Sequence, residues 1–143
     1  MERIKINLPE TFSFSAKLLI RITDINYGGH VGNDTFLSLM HEARQQFLLY
    51  HNYTELNIAG YGLIIADAAI EYKQELKHLD EIIISVAATN FDKIGFDLFY
   101  KIELIKNSEK ILAGKAKTGM LCFDYTLKKK TTLPEEVMIK LNT

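Results

Sequence analysis

Apolar residues along this chain change their spacing at about residue 33. From there Phe36, Met40, Ala43 and Phe47 recur at steps of four, three and four residues, which is one face of an α-helix. The spacing predicts a helix from Asn33 to about residues 50–52. Asn33 or Asp34 is the expected cap, because either side-chain oxygen can accept an N–H of the first turn. Arg44, Gln45 and Gln46 fall off the apolar stripe. Most of the remainder reads as extended chain. Residues 12–23, rich in Phe, Ile, Leu, Ser and Thr, form a strand candidate that Tyr27-Gly28-Gly29 ends. After Gly60-Tyr61-Gly62, residues 63–73 and 81–91 are further candidates. In 96–105 the residues Phe96, Leu98, Tyr100, Ile102 and Leu104 alternate and share one face. Residues 107–110 read as a hairpin turn, 111–125 as the last long strand, and Pro134 as the opening of a short terminal helix.

The order is strand, long helix, then four strands. This is an α+β pattern in which one helix covers a face of an antiparallel sheet that curls around it. Such a sheet leaves a face and an edge uncovered, which points to pairing with a second copy. No internal repeat or linker interrupts the chain, and one domain is expected over 1–143.

Composition narrows the function classes. Hydrophobic residues make up 48% and charged residues 24%, as in a soluble globular protein. A net charge of −1 gives no global attraction to nucleic acid or acidic membrane. The one cysteine, Cys122, cannot form an internal disulfide. No signal peptide is visible, and the apolar stretch 63–70 is too short to span a bilayer and carries Asp67. The expected location is the cytoplasm.

Candidate chemistry gathers between Asp24 and Asn33. Glycine lets a ligand approach the backbone closely, and a helix start presents unpaired N–H groups with partial positive charge. The backbone N–H groups of Val31, Gly32 and Asn33 are therefore candidates to hold a carbonyl oxygen, as an oxyanion hole does. The same glycines also suit a simple strand-to-helix turn. His41, His51 and His78 are too scattered for a metal site, and no metal is expected.

These residues also carry a family likeness. The run from Arg21 through Asp24, Asn26, Gly29-His30-Val31-Gly32-Asn33 and Phe36 to Glu42-Ala43-Arg44 is similar to an Arg, acidic turn, "GHVNN" and "(F/L)-x-E-x-AR" pattern. Ala69-Ile70-Glu71-Tyr72 with Asp80-Glu81-Ile82, the turn at Ile94-Gly95, and Leu133-Pro134 follow in the same order. The chain resembles the hotdog-fold acyl-CoA and acyl-carrier-protein thioesterases, in the 4-hydroxybenzoyl-CoA thioesterase branch. The resemblance implies a curved five-stranded sheet around one long helix, and a homodimer or homotetramer. It implies hydrolysis of a thioester to a free acid and a thiol with no dissociable cofactor, coenzyme A being part of the substrate.

Two positions depart from the family pattern. The catalytic carboxylate of the family lies four residues before the His, where this chain has Asn26, and the first Asn after "HV" is Gly32. An amide can orient water or bind a carbonyl but cannot take a proton at physiological pH. Asp24, two residues earlier, is one candidate base, with strand alternation aiming it in the same direction as Asn26. Glu42 and Asp67 are others, although Glu42 equally suits an ion pair with Arg21 or Arg44, and Asp67 an exposed face beside Glu71. His30 is a base, a donor or, as the resemblance implies, a positioning residue. The alternative function is a non-hydrolysing binder or sensor of acyl thioesters. Phe36, Met40, Phe47, Tyr61 and Leu63 are candidates to line an acyl slot, or are plain core. Lys128 and Lys129, with Lys130, are candidates for the nucleotide phosphates of coenzyme A or an acidic carrier protein, or form a solvated loop; Lys73 and Lys93 are weaker ones.

Overall fold

The computed structural model describes residues 1–142. Strand β1 (Phe14–Leu19) leads through a 3-10 turn (Ile22–Asp24) and a glycine loop to helix α1 (Asn33–Tyr50). Then follow β2 (Gly62–Tyr72), β3 (Glu81–Thr89), β4 (Gly95–Lys106), β5 (Glu109–Asp124), the two-residue β6 (Lys129–Lys130) and helix α2 (Glu135–Leu141). The sheet runs β1-β3-β4-β5-β2, with β6 on β5, and every pairing is antiparallel. It is the expected α+β hotdog arrangement, with a sixth, very short strand beyond the five expected.

The predicted stripe of α1 is the buried one. Phe36, Met40, Ala43 and Phe47 are at most 3% exposed and join one apolar cluster with Ile82, Ile84, Leu98, Tyr100 and Met120. The alternating residues of β4, Phe96 to Leu104, are all buried on that side. Asn107 and Ser108 both take positive φ, 52° and 63°, so β4 and β5 turn on two residues, and Glu109 and Lys110 already pair in β5.

Three local expectations change. The strand expected over 12–23 is shorter, because residues 22–24 wind into the 3-10 turn, held by Asp24 accepting the Arg21 N–H at 2.8 Å. The cap of α1 is Gly32, whose φ of −68° and ψ of 155° are extended; Asn33 and Asp34 are already helical. Arg44 is buried rather than solvated. Its guanidinium pairs with Glu55 and donates through Nη1 to Tyr100 Oη at 3.2 Å, so the helix face carries its charge inward onto fixed partners.

Candidate active site

The loop between the 3-10 turn and α1 is closed by its own backbone. Ile25 bridges Val31, the Asn26 N–H donates to His30 O at 3.0 Å, and Gly29 takes a φ of 82° to complete the bend. Inside this loop the Asn26 Oδ1 accepts the Gly28 N–H at 2.9 Å. A Cβ on Gly28 would stand 3.2 Å from Asn26 Oδ1 and 3.3 Å from His30 Nε2, so the amide and the imidazole flank the same spot. A Cβ on Gly32 would stand 3.3 Å from Asn26 Nδ2, which places that N–H donor beside the start of α1.

The expected trio of backbone donors needs correction at Val31. Its N–H donates to Leu76 O at 2.8 Å, because fully buried Leu76 pins the β2–β3 connection against the loop. The N–H groups of Asn33 and Asp34 have no acceptor among the described residues, since the first helical bonds run from Thr35 and Phe36 to Gly32 O. The Gly32 N–H likewise has no acceptor among the described residues, so the available donors are these three amides and Asn26 Nδ2.

Beside them opens a cleft of about 340 Å³ lined by His30, Val31, Asn33, Phe36 and residues 72–75. The Phe36 and Tyr72 rings meet edge to face at 5.1 Å, giving the cleft an apolar wall. Tyr72 Oη donates to Asn33 O at 2.9 Å, and Glu75 Oε1 lies 3.8 Å from His30 Nε2. His30 Nδ1 is 3.3 Å from Val31 O, an arrangement that favours a proton on Nδ1.

The other anticipated residues lie elsewhere. Asp24 is not aimed with Asn26, because the 3-10 turn removes strand alternation. Asp24 faces Arg21 and lines a separate cavity of 530 Å³ with Lys17, Ser38 and Glu42. Glu42 accepts from Gln46 Nε2 at 2.8 Å. Asp67 sits at a bulge in β2, where Lys117 at 2.8 Å and the Gly119 N–H at 2.9 Å hold its carboxyl below the usual aspartate range. Met40 and Leu63 are buried in the apolar cluster, Phe47 with them, and half-buried Tyr61 packs against it; of the acyl-slot candidates Phe36 alone lines the cleft. Lys129 pairs with Asp124, whereas the cleft residue Tyr72 pairs with Gly114. Ten residues of β5 separate these points, about 30 Å along the strand, which removes Lys128 and Lys129 from the cleft. Lys73 does line it, in an ion pair with Glu71 at 3.1 Å. Tyr72, Gln74 and Glu75 were missed as site residues. Their one visible signal was the break in apolar alternation after residue 72, and only folding brings it to the helix start.

A family model for the thioesterase-like superfamily matches residues 20–141. The chain belongs to the thioesterase-like superfamily. Solved structures agree in fold. A 1,4-dihydroxy-2-naphthoyl-CoA thioesterase from Synechocystis superposes with a TM-score of 0.79 at 21% identity, over 90% of this chain and 94% of that one. An Asp-to-Asn mutant of 4-hydroxybenzoyl-CoA thioesterase, complexed with 4-hydroxybenzoyl-CoA, gives 0.80 at 12% identity over 90% and 97%. A gentisyl-coenzyme A thioesterase gives 0.76 at 18% identity over 90% and 99%. No curated relative matches the chain by sequence search. Within this superfamily member, no helix among the described residues is long and apolar enough to cross a membrane.

Proposed function

We propose that this protein hydrolyses an acyl-CoA or acyl-carrier-protein thioester to a free acid and a thiol. One observation carries the reading: the unbonded first-turn N–H groups of Asn33 and Asp34 open beside an apolar-walled cleft, with Asn26 Nδ2 next to them. A thioester carbonyl oxygen lying there accepts from these donors, and they strengthen as the oxygen gains charge. Water then attacks the carbonyl carbon, the C–S bond breaks, and the sulfur leaves as the thiol with the proton that the water lost. Phe36 and the ring of Tyr72 give the acyl group an apolar wall. Asn26 acts as a donor and not as a base, since its Oδ1 is already engaged by Gly28.

A second reading is favoured by Asn26 itself: the protein binds an acyl thioester and does not cleave it. Along the free edge of β2, where Ile65 is 48% exposed, a second copy would extend the sheet, which supports the homo-oligomer expected from the sequence.

Thiol release from benzoyl-CoA, straight-chain acyl-CoA and acyl-carrier-protein thioesters tests the reading. Release above background that falls in Asn26→Ala is the expected result. Saturable binding of these thioesters without release by the wild type replaces hydrolysis with the binding function.

A further inference from the structure

The proposed hydrolysis leaves one chemical task unassigned: a group must take a proton from the attacking water. Asn26 cannot do so. Asp24 faces Arg21, Glu42 accepts from Gln46, and Asp67 is held by Lys117. Glu75 stands on the β2–β3 connection with its carboxylate toward His30.

Asp34 is the acidic side chain that the fold sets beside the Asn26 amide, and its position is specific. A Cβ added to Gly32 would lie 2.6 Å from Asp34 Oδ1, so the carboxylate occupies the space that any side chain at position 32 would fill. The same point lies 3.3 Å from Asn26 Nδ2. Asp34 Oδ1 and the Asn26 amide therefore both stand beside the space that a side chain at position 32 would take, at the helix start where the free amides emerge. Asp34 has no hydrogen-bond or ion-pair partner among the described residues. Burial first, and then the Asp34 charge, raise the hydroxyl of the cleft residue Tyr72 above its ordinary pKa of 10.0.

We propose that Asp34, admitted by the missing side chain of Gly32, is the general base of this site. The inference rests on the hydrolase reading above. Asp34 accepts a proton from water as the water oxygen bonds to the carbonyl carbon. It returns that proton to the sulfur as the C–S bond breaks, so the carboxylate is regenerated. The two departures at 26 and 32 then belong together: the amide at 26 binds the oxygen, and the glycine at 32 lets a carboxylate from the first turn of α1 stand beside it.

The test compares wild type, Asp34→Asn and Asp34→Glu in thiol release from benzoyl-CoA, straight-chain acyl-CoA and acyl-carrier-protein thioesters. General-base loss predicts a fall in kcat of about 10²–10⁴-fold in Asp34→Asn, with KM changed little and the thermal transition retained. Asp34→Glu recovers part of the rate lost in Asp34→Asn, because a carboxylate again reaches the Gly32 gap while Asn26 keeps its donor. Wild-type turnover that is unchanged in Asp34→Asn overturns the role of Asp34 and leaves the hydrolase reading standing. Absence of release by the wild type from every thioester overturns both.

Discussion

The hydroxyl of Tyr72 donates to the carbonyl oxygen of Asn33 at 2.9 Å, joining the last residue of β2 to the first residue of α1. The bond fixes the helix start against the sheet at the point where the candidate donors emerge. Burial and the Asp34 charge keep the Tyr72 proton in place at neutral pH, so the donor is permanent there.

Replacing this hydroxyl separates the pin from the wall. Tyr72→Phe keeps the ring that meets Phe36 and loses the bond to Asn33. Because the residue is half exposed, water replaces part of the bond, and stability falls by about 0.5–1.5 kcal/mol. The first turn of α1 loosens, and the proposed thiol release slows with it. Thermal melts and steady-state rates check this; coincident curves for the two proteins would remove the pinning role.

Arg44 makes a different kind of contact. It lies 4% exposed, paired with Glu55 and bonded to Tyr100 Oη, which in turn shares a bond of 2.9 Å with Thr118 Oγ1. Truncating one partner of a buried pair leaves the others without compensation. Arg44→Ala is expected to lose about 3–5 kcal/mol in urea unfolding. Arg44→Lys recovers only part of that, because an ammonium group cannot reproduce the planar fork that reaches Glu55 and Tyr100 together. A loss confined to a few tenths of a kcal/mol in Arg44→Ala would show the chain to be energetically idle.

His51, at the end of α1, gives a pH signature. It is 7% exposed between Phe47 and Tyr50, and its Nε2 has no partner among the described residues. Burial, and then the charge of Lys140, hold its pKa below the ordinary 6.5. The folded state therefore favours neutral His51 while the unfolded chain protonates at the ordinary value. Its contribution to stability is complete above about pH 6.5 and declines as pH falls below it, until the lowered folded pKa is reached. His51→Phe is expected to flatten this acid-side decline, measured by urea unfolding at a series of pH values. Identical slopes for wild type and variant would exclude the effect.

Much of the scaffold was legible because it rests on periodicity. The apolar residues of α1 and the alternation of β4 state which side faces the core without reference to any other segment. Arg44 shows the limit of that method. Its position at the edge of the stripe reads as solvent, and only the arrival of Tyr100 and Glu55 from elsewhere in the chain makes its burial tolerable. The cap falls one residue earlier than expected: Asn33 and Asp34 have capping side chains, but both are already helical and Gly32 takes the extended cap conformation.

The site was legible as a region and not as a constellation. The stretch 24–33 was the right neighbourhood, yet Asp24 and Asn26 diverge once residues 22–24 coil. Tyr72 and Glu75 reach the helix start through the turn that follows β2.

The linear order of residues determined the helix, the strands and the glycine-rich entry to α1, because those depend on neighbours within a few positions. Which amides stay free and which carboxylates find a partner depend on groups far apart in the chain. Electrostatic and hydrogen-bond partners act over a few ångströms of space, and the sheet curling around α1 sets those distances.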